Sequence, residues 1–132
     1  MKGQNLIVAK AWIEKADHDL GSAKVIFLHI PEYSDTIAFH CQQAVEKYIK
    51  ATLISFDVEF RKSHDLLYLL DKLSEYIEVN SETYDKAILL NGFAIEIRYP
   101  NKVIHLSKIE IKNAISIADD FRSWLLNIMD TK

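Results

Sequence analysis

The sequence contains few residues that break or cross-link a chain: three glycines, two prolines and one cysteine among 132 residues. With so few places to turn sharply, the secondary-structure elements should be long, which favours helices. The single cysteine, Cys41, excludes an intramolecular disulfide framework and indicates a reducing compartment. We interpret Cys41 as a small buried hydrophobic residue.

Long apolar runs are also missing, and no stretch approaches the roughly 20 uninterrupted apolar residues of a membrane span. Charged residues interrupt the N-terminus before a signal-peptide core forms. We therefore expect a soluble, cytoplasmic protein that does not bind membranes.

The chain is 49% hydrophobic and 27% charged, which is typical of one globular domain over residues 1–132. A net charge of -3 argues against an overall basic nucleic-acid-binding surface, whereas a local basic patch stays open.

Hydrophobic periodicity predicts an all-α, up-and-down bundle of four long helices plus a shorter fifth. The apolar side chains between Ser55 and Lys62 alternate as in a strand, but no partner strand exists, so we expect a connector there. The five helices are expected at Leu6–His29, Ser34–Ile54, from Ser63 to about Ile77, Ser81–Arg98, and from Ser107 onwards.

Four serines are predicted to cap the second to fifth helices, each with an acidic residue in the first turn. The run Ser107-Lys108-Ile109-Glu110 has the spacing of a capping box. The other three predicted pairs are Ser34 with Asp35, Ser63 with Asp65, and Ser81 with Glu82.

The second helix is the one around which we expect the others to pack. Its apolar face comprises Ile37, Cys41, Ala44, Val45, Tyr48 and Thr52. A second stripe of the same helix is polar and comprises His40, Gln43, Lys47 and Lys50. Such a stripe either meets water or lines a cleft or subunit contact, and the spacing alone is compatible with both.

The five histidines show no HxxxH or HExxH spacing, and Cys41 has no second thiol beside it. We therefore predict neither a metal site nor a cofactor. The three glycines are isolated, so no phosphate-binding loop is present. A Ser–His–Asp arrangement is not excluded by one sequence, but no nucleophile elbow indicates one.

The turn before the last helix carries two residues suited to metal-free RNA cleavage. Arg98 stays charged and can bind phosphate oxygens with two hydrogen bonds, and His105 can exchange protons near neutral pH. One would offset charge on the phosphorane while the other transfers a proton. Alternatively, Arg98 is a solvated partner of the helix dipole and His105 a loop residue.

Four segments together resemble HEPN domains, and the resemblance covers nearly the whole chain. It implies a small helical bundle that dimerises, is often encoded beside a minimal nucleotidyltransferase, and is linked to toxin–antitoxin systems. The segments are Trp12…Ala16…Asp19-Leu20, Cys41-Gln42-Gln43-Ala44-Val45-Glu46-Lys47, Ser63-His64-Asp65-Leu66-Leu67 and Arg98-Tyr99-Pro100.

The resemblance also implies two activities. Many HEPN proteins are metal-independent endoribonucleases with an Arg-x(4–6)-His motif, and Arg98 and His105 match its longest spacing. The sequence Arg98-Tyr99-Pro100 places the chain closer to an RYP subgroup that is usually described as nucleotide-binding and often lacks the motif histidine.

Three hypotheses follow. The first is a homodimeric nucleotide- or RNA-binding module that works with a nucleotidyltransferase partner. The alternative is an endoribonuclease toxin with Arg98 and His105 as catalytic residues, and the third is a structural adaptor. The predicted binding residues are His40, Gln43, Lys47, Lys50, His64 and Arg98, with Arg61 and Lys62 adding to a basic cleft. Apolar residues outside the main helix stripes predict the dimer contact: Phe39, Ile115, Ile117, Trp124 and Met129.

Overall fold

The computed structural model of the protein describes the backbone of residues 3–97 and 105–130 and the side chains of residues 3–93 and 105–130. These residues form five helices, and no strand occurs among them. Four helices are long and the third is short, so the predicted all-α bundle is confirmed. The helices are α1 (Gly3–His29), α2 (Ser34–Ser55), α3 (Leu66–Ser74), α4 (Ser81–Ile97) and α5 (Lys108–Asp130).

Helix α2 lies at the centre of the bundle and contacts each of the other four helices. Fifteen of its 22 residues are buried. The predicted apolar face is confirmed, because every one of its six residues has no exposed surface. Cys41 belongs to this face, and burial raises the pKa of its thiol to about 12. The side chain is therefore a neutral, inaccessible packing residue, as the sequence predicted.

Helix α1 begins three residues earlier than predicted, at Gly3 rather than Leu6. The amide of Asn5 in this additional turn donates a hydrogen bond of 3.1 Å to Asp57, in the connector after α2. This contact to a distant segment favours the extra turn, whereas the apolar periodicity begins only at Leu6. Ile30, which continues the apolar periodicity of α1, follows the last helical residue and is 38% exposed.

One of the four predicted caps is confirmed as written. Ser107 and Glu110 form the reciprocal bonds of a capping box: the Ser107 N–H donates to Glu110 Oε1 at 3.0 Å, and the Glu110 N–H donates to Ser107 Oγ at 3.1 Å. Ser34 is not a cap, since the capping position is Tyr33 and no side chain bonds there. The Ser34 hydroxyl instead accepts a 3.3 Å bond from the Leu106 N–H across the bundle.

The remaining two caps lie next to the predicted ones. Asp65, not Ser63, caps α3, and its carboxylate accepts from the Leu67 N–H at 2.9 Å. Asn80, not Ser81, serves α4, since its side-chain oxygen accepts from the Thr83 N–H at 2.8 Å. The Asp65 carboxylate reaches the second amide of α3 and the Asn80 side chain the third amide of α4, as a serine can, so composition alone did not distinguish each cap from the nearby serine.

The segment between α2 and α3 is a connector, as predicted. Asp57 has a positive φ of 60° in the turn that leaves α2. Val58 is buried, and Phe56 and Phe60 are half-buried against the core. These contacts hold the following residues, 61–65, beside the middle of α2.

The apolar surface differs from the prediction. Ile117 and Met129 are buried inside the single chain, and Ile115 and Trp124 are half-buried against its core. Phe39 is 37% exposed. The most exposed apolar side chains of α1 are Ile7, Val25 and Leu28, at 58–75%. Over the described ranges, no helix has the length and apolar character needed to cross a membrane.

Candidate functional site

The predicted polar stripe is the partly accessible face of α2 over residues 40–53, where the other side chains of the helix are buried. His40, Gln43 and Lys47 are half-buried, while the residues between them on the other faces are buried. The stripe lies between α1 on one side and residues 61–65 on the other. We call His40, Gln43, Lys47 and His64 the α2 stripe, because His64 borders it from the connector side.

On the α1 side, one carboxylate joins two members of the stripe. His40 Nδ1 lies 2.9 Å from Asp19 Oδ1, and the Lys47 ammonium donates a hydrogen bond to Asp19 Oδ2. The Asp19 side chain is only 15% exposed. Asp19 therefore fixes the positions of both side chains. The sequence indicated Asp19 only through the family resemblance and gave it no role.

On the connector side, the carboxylate is Glu46, whose side chain is 3% exposed. Its Oε2 accepts from the Lys50 ammonium at 3.0 Å, and its Oε1 lies 3.0 Å from His64 Nδ1. The Lys50 ammonium also lies 5.4 Å from the centre of the Trp12 ring. Lys50 is buried and bonded to Glu46, so it lies outside the accessible part of the polar stripe to which the sequence assigned it.

Two glutamines of α2 form a chain of hydrogen bonds to the connector. The Gln43 side-chain amide donates to Gln42 Oε1 at 2.9 Å, and Gln42 donates to the backbone carbonyl of His64 at 3.1 Å. Gln42 is buried, and this bond fixes the connector backbone at His64. The next residue, Asp65, is held by the side-chain amide of Asn91 in α4 at 3.1 Å.

The site is charge-balanced rather than basic. Lys47 and His40 both contact the carboxylate of Asp19. Lys50 and His64 both contact the carboxylate of Glu46. The positively charged cleft predicted from sequence is therefore not formed by these residues. Arg61, which was expected to add to it, stacks its guanidinium 3.9 Å from the Tyr68 ring centre.

A third polar cluster joins α1, α2 and α5. The Tyr48 hydroxyl donates to Asp17, and Arg122 Nε donates to the same carboxylate at 2.9 Å. Burial raises the pKa of Asp17, but the bonds from Arg122 and Tyr48 outweigh it and hold this pKa below the ordinary 3.8. Burial, together with the bond to Asp17, raises the pKa of Tyr48. This cluster links three helices and stabilises the bundle.

Arg98, which both functional hypotheses use, lies outside the described residues. His105 is exposed just before α5, next to Leu106, whose amide is tied to Ser34. The chemistry predicted for the Arg98 and His105 pair thus stays a prediction. No group of three potential metal-ligating side chains occurs within residues 3–93 and 105–130.

Two open grooves adjoin the Asp19 cluster along α1. One, of about 460 Å³, runs from Ile7 to Lys15, includes one face of Trp12 and ends at Lys47. The other, of about 690 Å³, includes His18, Val25 and His40. A ligand bound in the first groove would contact Lys47 and one bound in the second would contact His40, and both side chains are bonded to Asp19.

These features define a small, all-α protein whose central helix carries a hydrogen-bonded polar stripe. The chain belongs to the HEPN family, since the family model described as HEPN domain matches residues 9–129. The chain is also 43% identical over 60 residues to a Methanocaldococcus jannaschii protein named "Putative toxin MJ1304". That match covers 46% of this chain and 38% of the length of that protein.

Solved structures share the fold over almost the full chain. The protein TT1696 from Thermus thermophilus has a TM-score of 0.78 at 25% identity, covering 90% of this chain and 96% of that one. The archaeal HEPN homologue ST0689 has a TM-score of 0.72 at 20% identity, covering 92% and 97%. A HEPN domain protein from Thermotoga maritima has a TM-score of 0.60 at 22% identity, covering 96% and 98%.

The resemblance noted in the sequence is therefore confirmed. The site residues that sequence reasoning missed are Asp19, Gln42 and Glu46. A signal for Glu46 was present, because it stands four residues before Lys50, the spacing of a helical ion pair. Asp19 has no such local signal, since its partners lie 21 and 28 residues away along the chain.

Proposed function

We propose that this HEPN protein is a homodimeric nucleotide- or RNA-binding module of the toxin–antitoxin type that acts with a minimal nucleotidyltransferase partner. The observation that carries the proposal is the α2 stripe, where polar side chains remain partly accessible along the mostly buried middle of α2 and the adjoining connector. Each is fixed by a neighbour, so little side-chain freedom is lost on binding.

The charge balance of the stripe indicates how such a ligand would be recognised. Hydrogen bonds from His40, Gln43 and His64 would contribute more than net positive charge. The partly exposed face of Trp12 in the adjoining groove offers a surface for stacking a base. Binding should therefore depend weakly on salt, with a logarithmic slope between 0 and about -1.4, the value for two phosphate contacts on a single strand.

Isothermal titration with ATP and with a ten-nucleotide RNA tests the binding proposal. Gln43→Ala should weaken binding about fivefold or more, because it removes an uncharged, partly exposed donor without disturbing either carboxylate. Asn113→Ala is the matched control, since Asn113 is an exposed amide residue on α5. Absence of binding to both probes at low salt would contradict the proposal.

The toxin name of the Methanocaldococcus jannaschii relative supports a second candidate function, a metal-independent endoribonuclease that uses Arg98 and His105. Arg98→Lys keeps the charge but loses the planar fork that binds phosphate bidentately. If Arg98 binds phosphate, this change should reduce cleavage or binding about tenfold or more with little change in melting temperature. If Arg98 only interacts with a helix dipole, the change should be nearly silent, since that interaction contributes about 0.3–1 kcal/mol.

His105→Ala separates the two functions in an RNA cleavage assay with EDTA present. Loss of cleavage with retained RNA binding supports the nuclease. Unchanged cleavage by His105→Ala would contradict a catalytic role of His105, and absence of cleavage by the unchanged protein would leave only the binding module.

The nucleotidyltransferase partner is proposed from membership of the HEPN family. Co-expression with a minimal nucleotidyltransferase encoded beside this chain, followed by size-exclusion chromatography, tests it. A stable complex that elutes as one peak is the expected result, and separate elution of the two proteins at micromolar concentration contradicts it.

A further inference from the structure

The Glu46–His64 pair orients the imidazole ring of His64 on the connector side of the α2 stripe. Glu46 is fully enclosed between α2 and the connector, whereas the His64 side chain is 53% exposed. His64 Nδ1 lies 3.0 and 3.2 Å from the two Glu46 oxygens, so this nitrogen faces inward. Because the two nitrogens lie on opposite sides of the imidazole ring, Nε2 is directed away from Glu46.

The partner of Nδ1 determines what Nε2 can do. An ionised carboxylate only accepts hydrogen bonds, so Nδ1 must carry the proton in the contact with Glu46. In the neutral ring, Nε2 then has a free lone pair and acts as an acceptor. Lys50 holds the other Glu46 oxygen at 3.0 Å, and Gln42 fixes the His64 backbone. The ring is thus held with Nδ1 toward Glu46.

An acceptor on this surface selects for a donor on the ligand. The phosphates of a nucleotide offer no donor at neutral pH, and the donors on bases differ from base to base. The donor that every nucleotide within an RNA strand carries is its 2′-hydroxyl, which distinguishes RNA from DNA. We propose that His64 Nε2 accepts a hydrogen bond from a ribose 2′-hydroxyl, with Glu46 as the positioning residue. This inference rests on the proposed nucleotide- or RNA-binding function.

Two substitutions test the roles of the two ring nitrogens separately. In His64→Asn, the side-chain amide can keep the donor to Glu46, but nothing replaces Nε2. In His64→Gln, the longer side chain can reach toward the Nε2 position while the contact with Glu46 is lost. His29→Asn is the control, because His29 is an exposed histidine at the end of α1.

The experiment compares binding of a ten-nucleotide oligouridylate and its 2′-deoxy counterpart by fluorescence anisotropy at pH 8. We expect the unchanged protein and His29→Asn to prefer RNA about tenfold. His64→Asn should bind both strands equally, with its DNA affinity unchanged. His64→Gln can place an acceptor near the Nε2 position but lacks the Glu46 contact that orients it, so we expect it to retain a preference of no more than about threefold.

Nitrogen-15 NMR of the imidazoles in the free protein tests the role of Glu46 independently. We expect His64 to be protonated at Nδ1 and not at Nε2, and Glu46→Gln to give a mixture of tautomers. A His64 that carries its proton on Nε2 in the unchanged protein overturns the inference.

The binding outcomes separate this inference from the proposed function. If neither strand binds the unchanged protein, the RNA-binding form of the proposed function fails and this inference fails with it. If both strands bind the unchanged protein equally, or if His64→Asn keeps the RNA preference, only this inference is overturned.

Discussion

At the scale of single residues, the carboxylates decide how the polar side chains of α1 and α2 are arranged. Asp17, Asp19 and Glu46 each accept from two side chains, at least one of which lies far away along the chain. His40 and Lys47 are paired with Asp19, and Lys50 and His64 with Glu46, so these four predicted binding residues are each held by a carboxylate. If this surface binds a ligand as proposed, we expect hydrogen bonds to contribute more than net charge.

Asp17→Asn should reduce stability mainly above pH 4. Since the pKa of Asp17 is lowered on folding, its stabilising contribution is present above the unfolded value of 3.8 and is lost as the pH falls through the lower folded value. At pH 7 we expect a loss below about 1 kcal/mol, because Asp17 and Arg122 are 39% and 41% exposed. Urea unfolding of the unchanged protein and of Asp17→Asn at pH 7 and at pH 2 measures the loss of stability at each pH.

The control is Asp85→Asn on the exposed side of α4, which should change stability little at either pH. If Asp17→Asn were destabilising by the same amount at pH 2 as at pH 7, the ionised form of Asp17 would not be the stabilising species.

At the scale of secondary-structure elements, helix boundaries depend on which polar side chain reaches the first free amides. Three of the four predicted serine caps are replaced by a different residue or by none. In α3 the actual cap, Asp65, also bonds Asn91 of α4, so capping and interhelical contact reinforce each other. This double role holds the connector residues that carry His64.

Asn80→Ala should destabilise the protein by about 1 kcal/mol, the usual value of an N-cap, whereas Ser81→Ala should change stability by less than about 0.5 kcal/mol. Asn80 Oδ1 accepts from both the backbone amide and the hydroxyl of Thr83, each at 2.8 Å. The neighbouring serine is the matched control. Chemical denaturation compares the two variants, and a larger loss for Ser81→Ala would show that the cap was assigned to the wrong residue.

At the scale of the whole molecule, the exposed apolar residues indicate where a second copy would bind. The α5 residues that were predicted to form the dimer contact are largely packed inside the single chain. Helix α1, in contrast, exposes Ile7, Val25 and Leu28. Val25 lines the same groove as His40, so an α1 contact would extend toward the α2 stripe. Burial of this face by a partner chain would stabilise a dimer by the hydrophobic effect.

Light scattering at micromolar concentration should therefore give twice the mass of one chain. Leu28→Lys should shift the protein toward the monomer, because it places a charge on the proposed contact, while Ile88→Lys on α4 should leave the dimer intact. Ile88 is a suitable control, since it is also an exposed apolar residue, at 53%. A monomer mass for the unchanged protein would contradict dimerisation, and a dimeric Leu28→Lys would contradict the α1 contact.

The sequence by itself determined the features that depend on neighbours within one helix. The five helices, the apolar face of α2, the connector after it and the capping box of Ser107 and Glu110 all follow from spacings of three to four residues or from local composition. The same spacing predicted the stripe members that lie on α2 itself, His40, Gln43 and Lys47. The family was recognisable as well, since its motifs are short and lie within single segments.

Only the tertiary structure decided what the stripe contacts. Asp19 reaches His40 across 21 residues and Glu46 reaches His64 across 18, and helical periodicity specifies no pairing between separate segments. The burial of Lys50, the charge balance of the site and the orientation of His64 all follow from these contacts. They depend on which faces of α1, α2 and the connector meet, and that is fixed by packing of the whole bundle.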